Sequence, residues 1–242
     1  MSLPLFLVPA VPSVDAYVLD GPEGHHAAAV QRLRVGERVL LGDGRGGMAS
    51  ALVTAVGRAD LSVAVEKRWY AEPTTPRLVV AQGIPKGDRG ELAVQAMTEV
   101  GVDEIVPWAA SRCVAIWRGD RGTKSRDKWA AAAREATKQA RRPWIPVIAE
   151  TAATTALASL AGRSAATLVL DEEASAPLTA VPLPAAGAIL LVVGPEGGIA
   201  PDEIEALSAA GATPVRLGPN VLRTSTAGVA ALSVLAARLG RW

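Results

Sequence analysis

Three stretches in the C-terminal half carry residue types that a small-ligand site needs. They are Leu170-Asp171-Glu172, Gly194-Pro195-Glu196-Gly197-Gly198, and Leu217-Gly218-Pro219-Asn220-Val221-Leu222-Arg223-Thr224. Each follows an apolar run, so each reads as a loop leaving the end of a strand. Open α/β sheets bind ligands beyond the carboxyl ends of their strands. Glycines in the second loop allow positive φ and close backbone approach to a ligand. A phosphate cradle would want a lysine and an unoccupied helix N-terminus. This loop has no lysine, and the helix after it opens Pro201-Asp202-Glu203, with two acids already at the positive end of the dipole. A ligand with an adenine, a ribose and a cationic centre fits better than a phosphate. The plainer alternative is a tight strand-to-helix turn.

Elsewhere the chemistry is thinner. Gly42-Asp43-Gly44-Arg45-Gly46-Gly47 matches GxGxxG, but no helix pattern follows it. Asp-Gly between Val39-Leu40-Leu41 and Ala51-Leu52-Val53 is a hairpin signal instead. Cys113 is the only cysteine, which excludes an internal disulfide and a thiolate metal cage. No metal site is expected.

The elements that must position the three loops come next. From Arg77 onward strand and helix patterns alternate. Strands are read at 78–81, 104–108, 166–170, 188–193 and 213–217. Helices are read at 91–100, with Leu92, Val94, Met97 and Val100 available for packing, at 128–142, stopped by Pro143, at 201–210 and at 226–239. This is an α/β domain with a mostly parallel sheet, residues 73–242. Residues 1–72 read as short strands at the spacing of a small β-barrel, with residues 1–14 as an edge strand and residues 71–76 as a linker.

Composition bounds the class. Half of the 242 residues are hydrophobic and 20% are charged, which excludes intrinsic disorder. No apolar run approaches the roughly 18–20 residues that span a bilayer, and the start lacks a basic n-region. A cytoplasmic protein with no membrane partner is expected. The net charge of +1 at first argues against a polyanionic partner, but its distribution reverses that. Residues 112–142 hold ten basic and three acidic groups, in a chain otherwise mildly acidic. A concentrated patch attracts a polyanion even when the whole molecule is neutral. Arg134, Lys138 and Arg141 follow helical spacing and predict one basic stripe. Trp117, Trp129 and Trp144 lie among the charges, as rings that pack internally or stack on bases.

GPEGG after an apolar strand, then LGPNVLRT and an apolar C-terminal helix, resembles the SPOUT superfamily of S-adenosylmethionine-dependent RNA methyltransferases. Lys86-Gly87-Asp88-Arg89, the helix containing Glu99 with Gly101-Val102, Ser111-Arg112-Cys113, and Glu135 with Gln139 before Arg141-Arg142 narrow it. Together they resemble the 16S ribosomal RNA uracil-N3 methyltransferase family over nearly the whole chain. The resemblance implies a trefoil-knotted methyltransferase domain, an exception to un-knotted topology, preceded by a PUA-like β-barrel that binds RNA. It also implies a homodimer with the small ribosomal subunit as partner and S-adenosyl-L-methionine as cofactor. Carried over, Leu170, Gly194, Pro195, Glu196, Gly197, Leu217, Gly218, Leu222 and Thr226 would line the cofactor cleft. The family pattern after Leu-Arg-Thr has Glu, whereas this chain has Ser225, whose plain reading is an N-cap for the last helix.

Methylating uracil N3 requires the N3 proton to leave while nitrogen attacks the sulfonium methyl. Positive charge that stabilises the uracil anion should help, and Arg223, in the third loop, is the expected catalytic group. An arginine stays protonated and is a poor base. His25 and His26, in the N-terminal region, read as surface or RNA-contacting groups, so no general base is identified. N3 lies on the pairing edge, so the base must be unpaired or flipped. Arg32, Arg34, Lys86, Arg112, Arg134 and Arg142 are the expected backbone grips. A non-catalytic RNA-binding or ribosome assembly factor, another SPOUT specificity and a nucleotide-binding enzyme using GPEGG are the alternatives.

Overall fold

In a computed structural model, which describes residues 3–242, the chain forms two units. The first comprises the chain up to Pro73 together with Thr137–Ile145, and the second comprises Thr74–Ala136 and Pro146–Trp242. Residues 137–145 were expected in the second domain and group with the first. The reason is local: Gly46 and Ile145 donate backbone hydrogen bonds to Pro143 and Gly44, and the Trp144 indole donates to the Ala71 carbonyl at 2.9 Å.

The first unit holds β1 (Leu5–Leu7), β2 (Ala16–Leu19), α1 (Gly21–His25), a π-helical turn at His26–Val30, β3 (Arg38–Gly42), β4 (Gly47–Val56) and β5 (Leu61–Tyr70). Met1 and Ser2 of the expected edge strand lie outside the described residues, and β1 does sit at a sheet edge. The order is β1-β3-β4-β5-β2, with β1 parallel to β3 and the other pairs antiparallel. Val39, Leu41, Ala49, Ala51, Val53, Leu61 and Val63 alternate inward and join Phe6 and Leu19 in one core, so both edge strands close over it. Among the described residues β1 and β2 do not pair, so the expected barrel is an open sheet curled round its core. Two register shifts in β4–β5 accompany the curl. The β3–β4 turn is the hairpin expected at residues 42–47, held by Asp43, whose carboxylate accepts from the Arg45 and Gly47 amides.

The second unit holds β6 (Arg77–Gly83), α2 (Arg89–Val100), β7 (Glu104–Trp108), α3 (Gly119–Gln139), β8 (Val147–Ile148), α4 (Thr154–Ala161), β9 (Ala166–Leu170), β10 (Ala188–Val193), α5 (Pro201–Ala209), β11 (Thr213–Val215) and α6 (Thr224–Arg238). The last turn of α3 groups with the first unit. The six strands are all parallel, in the order β11-β9-β10-β6-β7-β8. Alternation along them builds two cores. Leu78, Val80, Ile189 and Leu191 face α2, α3 and α6, whereas Val79, Ala81, Leu190 and Val192 face α4 and α5. Fully burying one such side chain contributes about 1.5–3 kcal/mol, so the sheet is the rigid floor on which the loops stand. No helix among the described residues is long and apolar enough to cross a membrane.

Two expectations change here. α3 begins at Gly119 rather than Lys128 and ends at Gln139, while Arg141 adopts φ 52° beyond it. The predicted basic stripe is therefore broken. Lys138 ends in a 3.0 Å ion pair with Glu23, with only 9% of its side chain exposed. The helix α6 begins at Thr224 rather than Thr226, with Arg223 as its N-cap, so Ser225 is a buried first-turn residue and not the cap.

Candidate functional site

Parallel neighbours deliver their loops to one sheet edge. Leu170 ends β9, in register with Val215 of β11, and β10 lies between β9 and β6. The loops after β6, β7, β9, β10 and β11 therefore leave the same edge. Leu170 and residues 194–197, 217, 218, 222, 223 and 226 all sit there or at the head of α6.

The loop after β10 is held from several sides. Gly83, at the end of β6, lies so close that a Cβ there would be 2.5 Å from the Pro195 nitrogen. The Thr224 hydroxyl donates to the Gly194 carbonyl at 2.7 Å and accepts from the Gln82 amide at 2.8 Å. Gln82 Nε2 also donates to the Gly83 carbonyl, and the side chain is fully buried. Gly198 takes φ 73° and closes the loop by donating to the Pro195 carbonyl. The Glu196 carboxylate accepts from the Lys86 amide at 3.1 Å and pairs with Arg89. The Arg112 guanidinium donates to the Gly197 carbonyl at 3.2 Å. Glu196 thus turns its side chain to the loop after β6, and Arg112, expected to grip RNA, also braces this loop.

Glu203 closes the amino end of α5. Its carboxylate accepts from the Thr154 hydroxyl at 2.7 Å, the Ser111 amide and hydroxyl at 2.9 and 3.0 Å, and the Ala200 amide at 3.3 Å. Only 4% of the residue is exposed. Burial pushes its carboxyl pKa up, but these hydrogen bonds outweigh it, and the result lies below the ordinary value. The helix N-terminus is already satisfied by the chain's own anion.

The other expected residues disperse. Lys86 and Arg112 flank the loop after β10, and Arg134 is exposed on α3. Arg32 and Arg34 are exposed in the first unit, and Arg142 is half-buried there. His26 hydrogen-bonds Gln31 and meets the Phe6 ring edge-on, while His25 is exposed. All three tryptophans among the charges pack against aromatic neighbours: Trp117 against Trp129, and Trp144 against Tyr70. Cys113 is half-buried, and burial pushes its thiol pKa up, which disfavours the thiolate. Among the described residues no cluster could hold a metal. Of two cavities in the second unit, one lies beside the loop after β10, between the loops after β6 and β7 and α3, and the other at residues 165–168 and 181–184; neither is lined by an expected cofactor contact. The shared edge and the braced loop are the stronger pointer to a site, because they arise from sheet register.

Sequence reasoning missed Gln82 and Thr224 as the pair that fixes this loop, and it read Glu203 only as an acid at the positive end of the helix dipole. Gln82 carries a signal: it is the one polar side chain of the run Leu78-Val79-Val80-Ala81-Gln82 in a buried strand.

Comparison with known proteins decides the family. A family model of an RNA methyltransferase domain matches residues 72–236, and one of an RNA methyltransferase PUA domain matches residues 19–66. The chain belongs to the RNA methyltransferase family. The ribosomal RNA small subunit methyltransferase E of Mycobacterium bovis is 45% identical over 243 residues, covering 98% of this chain and 93% of that one. Its counterpart in Bacillus subtilis is 28% identical, covering 93% and 91%. The crystal structure of the Neisseria gonorrhoeae enzyme of that name, bound to S-adenosyl methionine, superposes with TM-score 0.84 at 26% identity, covering 98% of both chains. The α/β methyltransferase unit and the PUA-like unit are thus both members of this RNA methyltransferase family, as the motifs implied.

Proposed function

We propose that this RNA methyltransferase uses S-adenosyl-L-methionine to methylate N3 of a uridine in 16S ribosomal RNA, on the small subunit, in the cytoplasm. The observation that carries this reading is the end-to-end likeness to ribosomal RNA small subunit methyltransferase E. The residues fit the cofactor. The amino end of α5 is closed by Glu203, so the edge favours a cationic ligand over a phosphate. Among the described residues the backbone amides of Leu217, Gly218 and Leu222 have no main-chain acceptor, which suits recognition of an adenine edge by backbone groups.

Leu170, Gly194, Pro195, Glu196, Gly197, Leu217, Gly218, Leu222 and Thr226 would hold the cofactor, which supplies a methyl on a sulfonium centre. Glu196 and Thr226 contribute main chain, since the carboxylate of one is bound to the loop after β6 and the hydroxyl of the other donates to the Arg223 carbonyl. Arg223, exposed at the head of α6, is placed to stabilise a uracil N3 anion. The thread of α6 back to Gly194 and Gln82 supports the trefoil knot of the SPOUT superfamily. Exposed Leu92, Val221 and Leu222 support a homodimer.

The test uses small subunits lacking the mark, incubated with the protein and labelled cofactor and mapped by primer extension. N3-methyluridine blocks pairing, so a new stop at one uridine is expected. Folded protein that incorporates no label would defeat the proposal.

A further inference from the structure

Beside the braced loop, at the same sheet edge, a cavity of about 300 Å³ opens between the loops after β6 and β7 and the first half of α3. That is the low end of small-ligand sites, about 300–1,000 Å³. Its wall is aromatic: Trp129 is buried at 3% exposure, and Trp117 meets it edge-on with ring centroids 4.8 Å apart and planes at 71°. The pair is held in place. A Cβ at Gly90 would lie 2.6 Å from the Trp129 ring, and one at Gly122 would lie 3.0 Å from the Trp117 backbone. Arg121, Ser125 and Lys128 line the cavity from α3 at i, i+4 and i+7, so one helix face presents two cations and a hydroxyl to it. Glu91 faces it from α2.

We propose that this cavity binds one unpaired nucleotide flanking the target uridine. Its base lies against Trp117, its phosphate on Arg121 and Lys128, and Glu91 accepts from a base N–H. The inference rests on the RNA methyltransferase reading. Two cations against one acid favour an anionic ligand. An indole beside them suits a base, because every base has a π-face to stack. None of the residues assigned to the cofactor lines the cavity, so it serves a neighbour of the reacting base. Gripping a neighbour also offsets the unstacking energy of extracting the target.

The test compares wild type with Arg121→Ala/Lys128→Ala and with the cavity-filling Ser125→Trp, using the full chain. Titration with a small-subunit RNA fragment containing the target, and separately with uridine monophosphate, is paired with S-adenosylhomocysteine calorimetry. Both variants should weaken RNA binding about tenfold or more, and the double variant should lower the slope of log K against log salt by about 2. Cofactor-product binding and the thermal midpoint should stay at wild-type values. RNA affinity within about twofold of wild type in both variants, while wild type still methylates, would overturn the cavity and leave the activity standing. RNA binding unchanged in the variants but uridine monophosphate binding lost would mean a free-nucleotide site and would also overturn it. Wild type that binds RNA through these residues yet transfers no methyl would sink the activity reading and retain the cavity.

Discussion

Arg223 stands exposed before α6, and its carbonyl, not its guanidinium, receives the helix's first hydrogen bonds, from the Thr226 and Ala227 amides and the Thr226 hydroxyl. The side chain is therefore removable without unravelling the helix. Arg223→Ala should slow single-turnover methyl transfer by about 10²–10³-fold, the scale for losing one preorganised donor to a developing anion, with thermal unfolding unchanged. If the protein instead loses its fold, Arg223 belongs to the scaffold. Glu203 is the reverse case, a buried carboxylate working on structure. Its folded pKa lies below its unfolded one, so its stabilisation is complete above the ordinary Glu value of about 4.3 and is lost as pH falls toward the folded value. Glu203→Gln should be less stable near neutrality, and its denaturation midpoint should fall less steeply than that of wild type as pH drops through and below the ordinary Glu value. Parallel curves for the two proteins would show that Glu203 does not control the acid limb.

At the scale of elements, the candidate site is a consequence of sheet register, and Gly83 is where that register meets the loop after β10. Gly83→Ala would push a Cβ into the Gly194 and Pro195 backbone, at 2.8 and 2.5 Å, where no flexible side chain can yield. Overpacking of this kind costs about 1–3 kcal/mol. Its distinctive mark should be S-adenosylhomocysteine affinity falling in calorimetry by more than the shift in denaturation midpoint accounts for; equal losses would make Gly83 a packing residue alone. The loops were legible because apolar strand runs end abruptly at Leu170 and Val193, and the glycines of 194–198 follow at once. The start of α3 was not. Residues 119–127 hold two glycines and five charges and show no apolar period, and the Trp117–Trp129 contact that brackets this stretch is not encoded by sequence spacing. The stripe failed for a related reason. Helical spacing put Arg141 in line with Lys138, but the helix ends at Gln139, and Lys138 is drawn inward by Glu23 across 115 positions of sequence.

For the whole molecule, near-neutral charge coexists with a strongly basic segment, which confines attraction for a polyanion and restrains non-specific binding. That segment straddles the two units, since Thr137–Ile145 departs from the second to complete the first. The departure has a consequence for synthesis and inheritance. Glu23 finds Lys138, Tyr70 finds Trp144, and Gly44 accepts from the Ile145 amide, so the part translated first should complete its contacts only once residue 145 has left the ribosome. A fragment ending at Pro73 should give a poorly dispersed amide spectrum, and appending 137–145 through a short linker should restore dispersion; a well-dispersed spectrum from the short fragment would refute the dependence. A recombination event that cuts once at the linker would strand this strap with the wrong partner. On that dependence the amino-terminal unit is not an interchangeable cassette: trading it between relatives should require a second, distant stretch of gene to travel with it.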